Sequence, residues 1–125
     1  MSRSEDAIAF DRHLEATAPD VADIARALRD TVLAEFPGAI EWFDPGNGLL
    51  AIGAERAMKA LQFAIIPHRN WVNLQLADGA VLPDHAGMIE GTGKRIRHVK
   101  VRSVEDARSD PVRGIIRAQL AQRAG

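Results

Sequence analysis

The sequence predicts an α+β fold: an antiparallel five-stranded sheet with two N-terminal helices and a C-terminal helix packed on one face, in two layers. Three observations predict it. Apolar residues recur at helical spacing up to residue 36 and again after residue 110, but alternate with period two between residues 39 and 102. The strand-like stretches follow one another through short turns, without the helical crossovers that a parallel sheet needs. A length of 125 residues suits one domain, 1–125, and buries enough surface to fold without a disulfide or structural metal.

The first helix is read from Ser4 to Thr17. Ser4 is an N-cap, Glu5 and Asp6 complement the positive end of the helix dipole, and Ala7, Phe10, Leu14 and Thr17 form a thin apolar stripe. Pro19 opens the second helix, where Val21, Ile24, Ala25, Leu28 and Val32 mark a buried face until Pro37-Gly38 stops it. Five strands are expected next, at Ala39–Asp44, Leu49–Ala54, Leu61–Ile66, Trp71–Leu76 and Ile96–Arg102. Turns at 44–48 and 67–70 join the first two pairs into hairpins, and Leu82–Glu90, broken by Pro83 and Gly87, reads as loop or one helical turn. Ser103-Val104-Glu105-Asp106 has capping-box spacing. Asp110 and Pro111 then read as N-cap and first residue of a last helix that buries Val112, Ile115, Ile116 and Leu120.

Composition narrows the function classes. The apolar and charged fractions, 46% and 26%, are those of an ordinary globular protein. The absence of cysteine excludes disulfides, thiolate metal sites and cysteine nucleophiles. No apolar run reaches the roughly 20 residues that span a bilayer, and the polar start does not resemble a signal peptide, so a cytoplasmic location is expected. The net charge of −1 hides an asymmetry: residues 1–45 carry 4 basic and 10 acidic side chains, residues 46–125 carry 12 and 7. Acidic helices lying over a basic sheet would explain it.

Strand alternation sets Val72, Leu74, Leu76, Val99 and Val101 toward the helices. The opposite face then carries Trp71, Asn73, Gln75, His98, Lys100 and Arg102.

Ile65-Ile66-Pro67-His68, Trp71-Val72-Asn73-Leu74, Gly79-Ala80-Val81-Leu82-Pro83-Asp84, Gly91-Thr92-Gly93-Lys94 and Arg97–Ser103 follow one another between residues 61 and 107, with Pro37 and Glu41-Trp42 fitting more loosely upstream. In this order and spacing they resemble the YdhG-like family of bacterial domains of unknown function. The resemblance implies a small α+β fold with helices on an antiparallel sheet, and no reaction. Some members of the family are described as intracellular iron chaperones. The chain departs from the family pattern at His85, where Asp-Pro is usual and Asp84-His85 stands instead.

Each candidate for chemistry has a plainer reading beside it. Gly91-Thr92-Gly93-Lys94 resembles an anion-binding loop, but Met88 and Arg95 stand where a nucleotide loop needs glycine and a hydroxyl. The plainer reading is two glycines turning the chain into the last strand. Lys94–Arg102 is the most basic stretch and shares its face with Trp71, yet one aromatic and a net charge of −1 disfavour nucleic acid. Of the histidines, His13, His68, His85 and His98, no two show helical ligand spacing, although His68 and His98 could converge in space. Asp6, Asp11 and Glu15 could line a hard-cation site, or form a solvated helix face. Ser103, Thr92, His98 and Glu41 make a catalytic set only by arbitrary choice, and Glu41 is expected to pair with Arg97.

The reading that results is a non-catalytic binding or interaction module without a cofactor. Its expected working surface joins His68, Trp71, Asn73, Gly91, Gly93, Lys94, Arg97 and His98, for a small anionic ligand or a protein partner. An iron-binding or iron-delivery protein is the alternative. No membrane partner is expected, and monomer and homodimer both stay open.

Overall fold

Ser4 caps the first helix, α1 (Glu5–Leu14), its Oγ accepting from Ala7 N at 3.1 Å. The computed structural model of the chain describes residues 4–84 and 86–124, so His85 lies outside the described residues. Helix α1 ends three residues before Thr17, whose Oγ1 donates to the Leu14 carbonyl at 2.8 Å and closes the last turn. Pro19 starts α2 (Pro19–Glu35), which buries Val21, Ile24, Ala25, Leu28 and Val32 on one side.

Six strands follow: β1 (Ile40–Asp44), β2 (Leu49–Gly53), β3 (Leu61–Pro67), β4 (Val72–Leu76), β5 (Ile89–Glu90) and β6 (Arg97–Val101). They form one open sheet in the order β1-β2-β3-β4-β6-β5, with every pair antiparallel. The expected count of five is corrected by β5, in a segment read as loop. Asp84 makes it: its carboxylate accepts the N–H groups of Met88 and Ile89 at 2.8 and 2.9 Å, turning the chain beside β6. A two-residue strand has no period to detect.

Ser103 caps the short α3 (Val104–Ala107), accepting from Asp106 N at 3.0 Å. The last helix, α4 (Asp110–Ala124), begins one residue earlier than the Asp-Pro pair suggested. Ser109 takes the capping place, its carbonyl accepting from Arg113 N at 3.0 Å, and Asp110 and Pro111 lie in the first turn.

The helices share one side of the sheet: α1 lies on β1 and β2, α2 on β3 and β4, α3 against β6, and α4 beside α2. Between the layers, Phe10, Leu14, Leu28, Leu50, Ile52, Phe63, Ile65, Leu74, Leu76, Val99 and Ile116 belong to one continuous core. Each such side chain stabilises the fold by about 1.5–3 kcal/mol. Glu41 faces this side too, but its partner is Arg29 of α2, through bonds of 2.6 and 2.9 Å. The expected Glu41–Arg97 pair does not form: β1 and β6 lie four strand positions apart, roughly 19 Å. Among the described residues no helix is long and apolar enough to cross a membrane.

Candidate functional site

The second face of the sheet carries no helix among the described residues, and the cross-strand register fixes what it shows. One row runs Trp42, Ala51, Ala64, Gln75, His98 and Glu90 from β1 to β5. On the neighbouring positions Asn73 stands between Ile66 and Lys100.

At the end of this face where β4 begins, His68, Trp71, Asn73 and Lys100 come together. The hairpin closes with His68 N donating to the Trp71 carbonyl at 2.8 Å. This lays the imidazole on the indole, with ring centres 5.1 Å apart and planes 18° from parallel. Trp71 Nε1 donates to Asn73 Oδ1 at 2.8 Å, which fixes the ring and leaves the Asn73 amide nitrogen for another acceptor. Lys100 Nζ lies 4.7 Å from the Trp71 ring centre, a cation–π contact. The same ammonium is 3.9 Å from Glu90 Oε1, a loose ion pair. Lys100 was on the expected polar face but not among the expected site residues; its register opposite Asn73 is the signal that joins it to Trp71.

The other expected residues do not join this cluster. His98 shares the face but stands between Gln75 and Glu90, beside Gly91. Arg97 is opposite Leu76 and belongs to the helix side of β6, with its Nε donating to the Gly93 carbonyl at 3.1 Å. Because β4 and β6 run antiparallel with Val72 opposite Val101 and Leu76 opposite Arg97, the Gly91–Lys94 loop lies at the far end, roughly 17 Å along the strands from Trp71. The one continuous surface expected from the sequence is therefore two separate ends. Gly91 has φ of 116°, and a Cβ at Gly93 would collide with the Ile96 carbonyl, so both glycines serve the turn.

Among the described residues Asp78 is the ionisable group held furthest from its ordinary pKa, and nothing along the chain marks it beyond its place at the end of a strand. Its side chain is fully buried. Arg123 Nε donates to Oδ2 at 2.5 Å, Gln119 Nε2 to Oδ2 at 2.7 Å and Arg95 Nε to Oδ1 at 2.7 Å. These donors, Arg123 first, hold its pKa down to about 2 against the cost of burial. A carboxylate so fully bonded ties β4, α4 and the loop before β6 together. It has no free lone pair aimed at a substrate.

Among the described residues three hollows stand out. The largest of these, about 450 Å³, lies between Pro83, Ala86 and the start of α4; it is also lined by Pro111, Gly114 and Ile115, with Asp110 its one ionisable residue among the described residues. A second, of about 130 Å³, lies between α1 and α2, where Asp11 meets Arg26 at 2.7 Å and Arg29 meets Glu41. A third, of about 190 Å³, sinks into the open sheet face between Trp42 and Gln75. Trp71 and His98 line none of the three.

Of the expected acidic strip, Asp6 and Asp11 are engaged, and Glu15 lies just past the end of α1. Asp6 accepts from Phe43 N at 2.9 Å and pairs with Arg56 at 3.0 Å, which lowers its pKa, and Asp11 pairs with Arg26. Among the described residues no three histidine or carboxylate side chains gather as a metal ion requires. Comparison of the chain with family models, with curated proteins and with solved structures finds no match.

Proposed function

We propose that the chain is a non-catalytic, cytoplasmic binding module of the YdhG-like type, whose open sheet face takes a small anionic ligand at the Trp71 end. The observation that carries this reading is the Lys100 ammonium held over the Trp71 ring beside the stacked His68. An ammonium there attracts an anion, the half-buried indole borders it with an apolar edge, and the Asn73 amide offers a directed N–H. Exposed Arg69 and Arg102 flank the cluster and add to the positive field.

The test uses protein carrying Trp42→Phe, so that Trp71 is the only tryptophan. Inorganic phosphate, citrate and benzoate are titrated while its emission is followed. The reading expects a saturable change with at least one anion, lost in Lys100→Ala. Linear responses for all three, or equal binding by Lys100→Ala, remove it.

A protein partner is the second reading, favoured by Ile40 and Met58, which stand 42% and 80% exposed. Light scattering across a concentration series distinguishes a second copy of the chain from a monomer.

A further inference from the structure

The hollow on the open face has a construction of its own. Its floor is Ala51 of β2 directly opposite Ala64 of β3. Both are nearly fully buried, at 3% and 1% exposure, although no α-helix among the described residues covers them. Larger side chains on every side bury them: Trp42 on one flank, Gln75 on the other, Leu49 at one end, Met58 and Leu61 at the other. At about 190 Å³ the space exceeds the roughly 150 Å³ that accommodates benzene. At the rim stands Asp44, on β1 two residues from Trp42 and so on the same face, roughly 7 Å away.

Asp44 is prepared as an anion. Asn47 Nδ2 donates to Oδ2 at 2.7 Å and Asn47 N to Oδ1 at 3.2 Å, and these bonds lower its pKa. Among the described residues no lysine, arginine or histidine pairs with it. The indole N–H of Trp42 and the side-chain amide of Gln75 likewise have no hydrogen-bond partner among the described residues. A ring-sized apolar socket walled by an indole, with an uncompensated carboxylate at its rim, selects a positive charge on an apolar body.

We propose that this socket binds a small organic cation, an amine or quaternary ammonium carried on a ring or branched aliphatic group. The body fills the space above Ala51 and Ala64, and the charge rests between the Trp42 ring and the Asp44 carboxylate. The site is distinct from the Trp71 cluster, so either can fail without the other.

The test uses the full chain with Trp71→Phe, which removes the Trp71 cluster and leaves Trp42 as the only reporter. Benzyltrimethylammonium is titrated against benzyl alcohol as its uncharged counterpart. Saturable quenching of Trp42 by the cation is expected, at least about fivefold tighter than by the alcohol. Asp44→Asn keeps the turn's acceptor and removes the charge, so it should erase that preference. Ala64→Leu should abolish binding of both probes; if it does not fold, Ala64→Val serves in its place. Equal affinity for the two probes, an unchanged preference in Asp44→Asn, or unchanged binding with the floor filled would each overturn the proposal. So would binding only by peptides bearing lysine or arginine, which would make the socket a protein contact.

Discussion

Gln119 bonds both the main-chain N–H of Asp78, at 2.8 Å, and its carboxylate, at 2.7 Å, and neither residue is exposed to solvent. One amide therefore satisfies two groups that burial would otherwise leave costly, and it fastens α4 to the end of β4. Gln119→Leu should destabilise the protein by about 1–3 kcal/mol, because Asp78 N and Oδ2 both lose a partner in the interior. Urea unfolding measures it; a loss too small to resolve would show that the contact is dispensable.

Asp78 also sets a pH dependence. Its folded value, about 2, lies below its ordinary 3.8, so its contribution is fully present above pH 3.8 and disappears as the pH falls toward 2. That shift corresponds to roughly 2 kcal/mol. Asp78→Asn should therefore be less stable than the parent at neutral pH, and the gap should narrow across this window. A gap that stays constant down to the lower limit would exclude the carboxylate charge as its cause.

The Arg29–Glu41 pair joins α2 to the edge strand β1 with its side chains only 17% and 9% exposed. Glu41→Gln leaves a guanidinium half-buried without its counter-charge and should cost roughly 1–3 kcal/mol, read from the same unfolding curves. An exposed pair would lose less than about 1 kcal/mol, so a loss in that range would mean that solvent replaces the carboxylate.

Gln62 is 7% exposed and its Oε1 has no partner among the described residues. Gln62→Met keeps the length and removes the stranded acceptor. A gain in stability of up to about 1 kcal/mol is expected from thermal or urea unfolding. A loss would mean that the amide makes a contact of its own.

The split of the expected surface separates two lysines. Lys100→Glu should abolish anion binding at Trp71, whereas Lys94→Glu, at the far end of β6, should leave it nearly unchanged. Titrations of both variants in the Trp42→Phe background compare them directly. Equal losses would show that long-range field, rather than contact with Trp71, attracts the anion.

Much of this was legible along the chain. Helical spacing from Val21 to Val32 and alternation through Val72–Leu76 and His98–Arg102 are local patterns, and those two strands announced their two faces. The pairing of His68, Trp71 and Asn73 was legible as well, since a tight hairpin keeps sequence neighbours together. What failed were inferences about which strands lie side by side. Arg97 was assigned to Glu41 because periodicity says nothing of strand order; its place on the Trp71 surface ran against the alternation itself, which sets it with Val99 and Val101, and β5 escaped because two residues carry no pattern.

The sequence by itself determined the α+β class, the positions of the helices and most strands, and the separation of an apolar from a polar sheet face, because these follow from spacing within ten or so residues. Tertiary structure alone decided that Lys100 stands over Trp71, that Asp78 is locked by Gln119, Arg95 and Arg123, and that Ala51 meets Ala64 to open a socket beside Trp42. Each of these joins residues from different elements, and their meeting depends on the register and order of strands. Those are set by the packing of the whole core and not by any one segment.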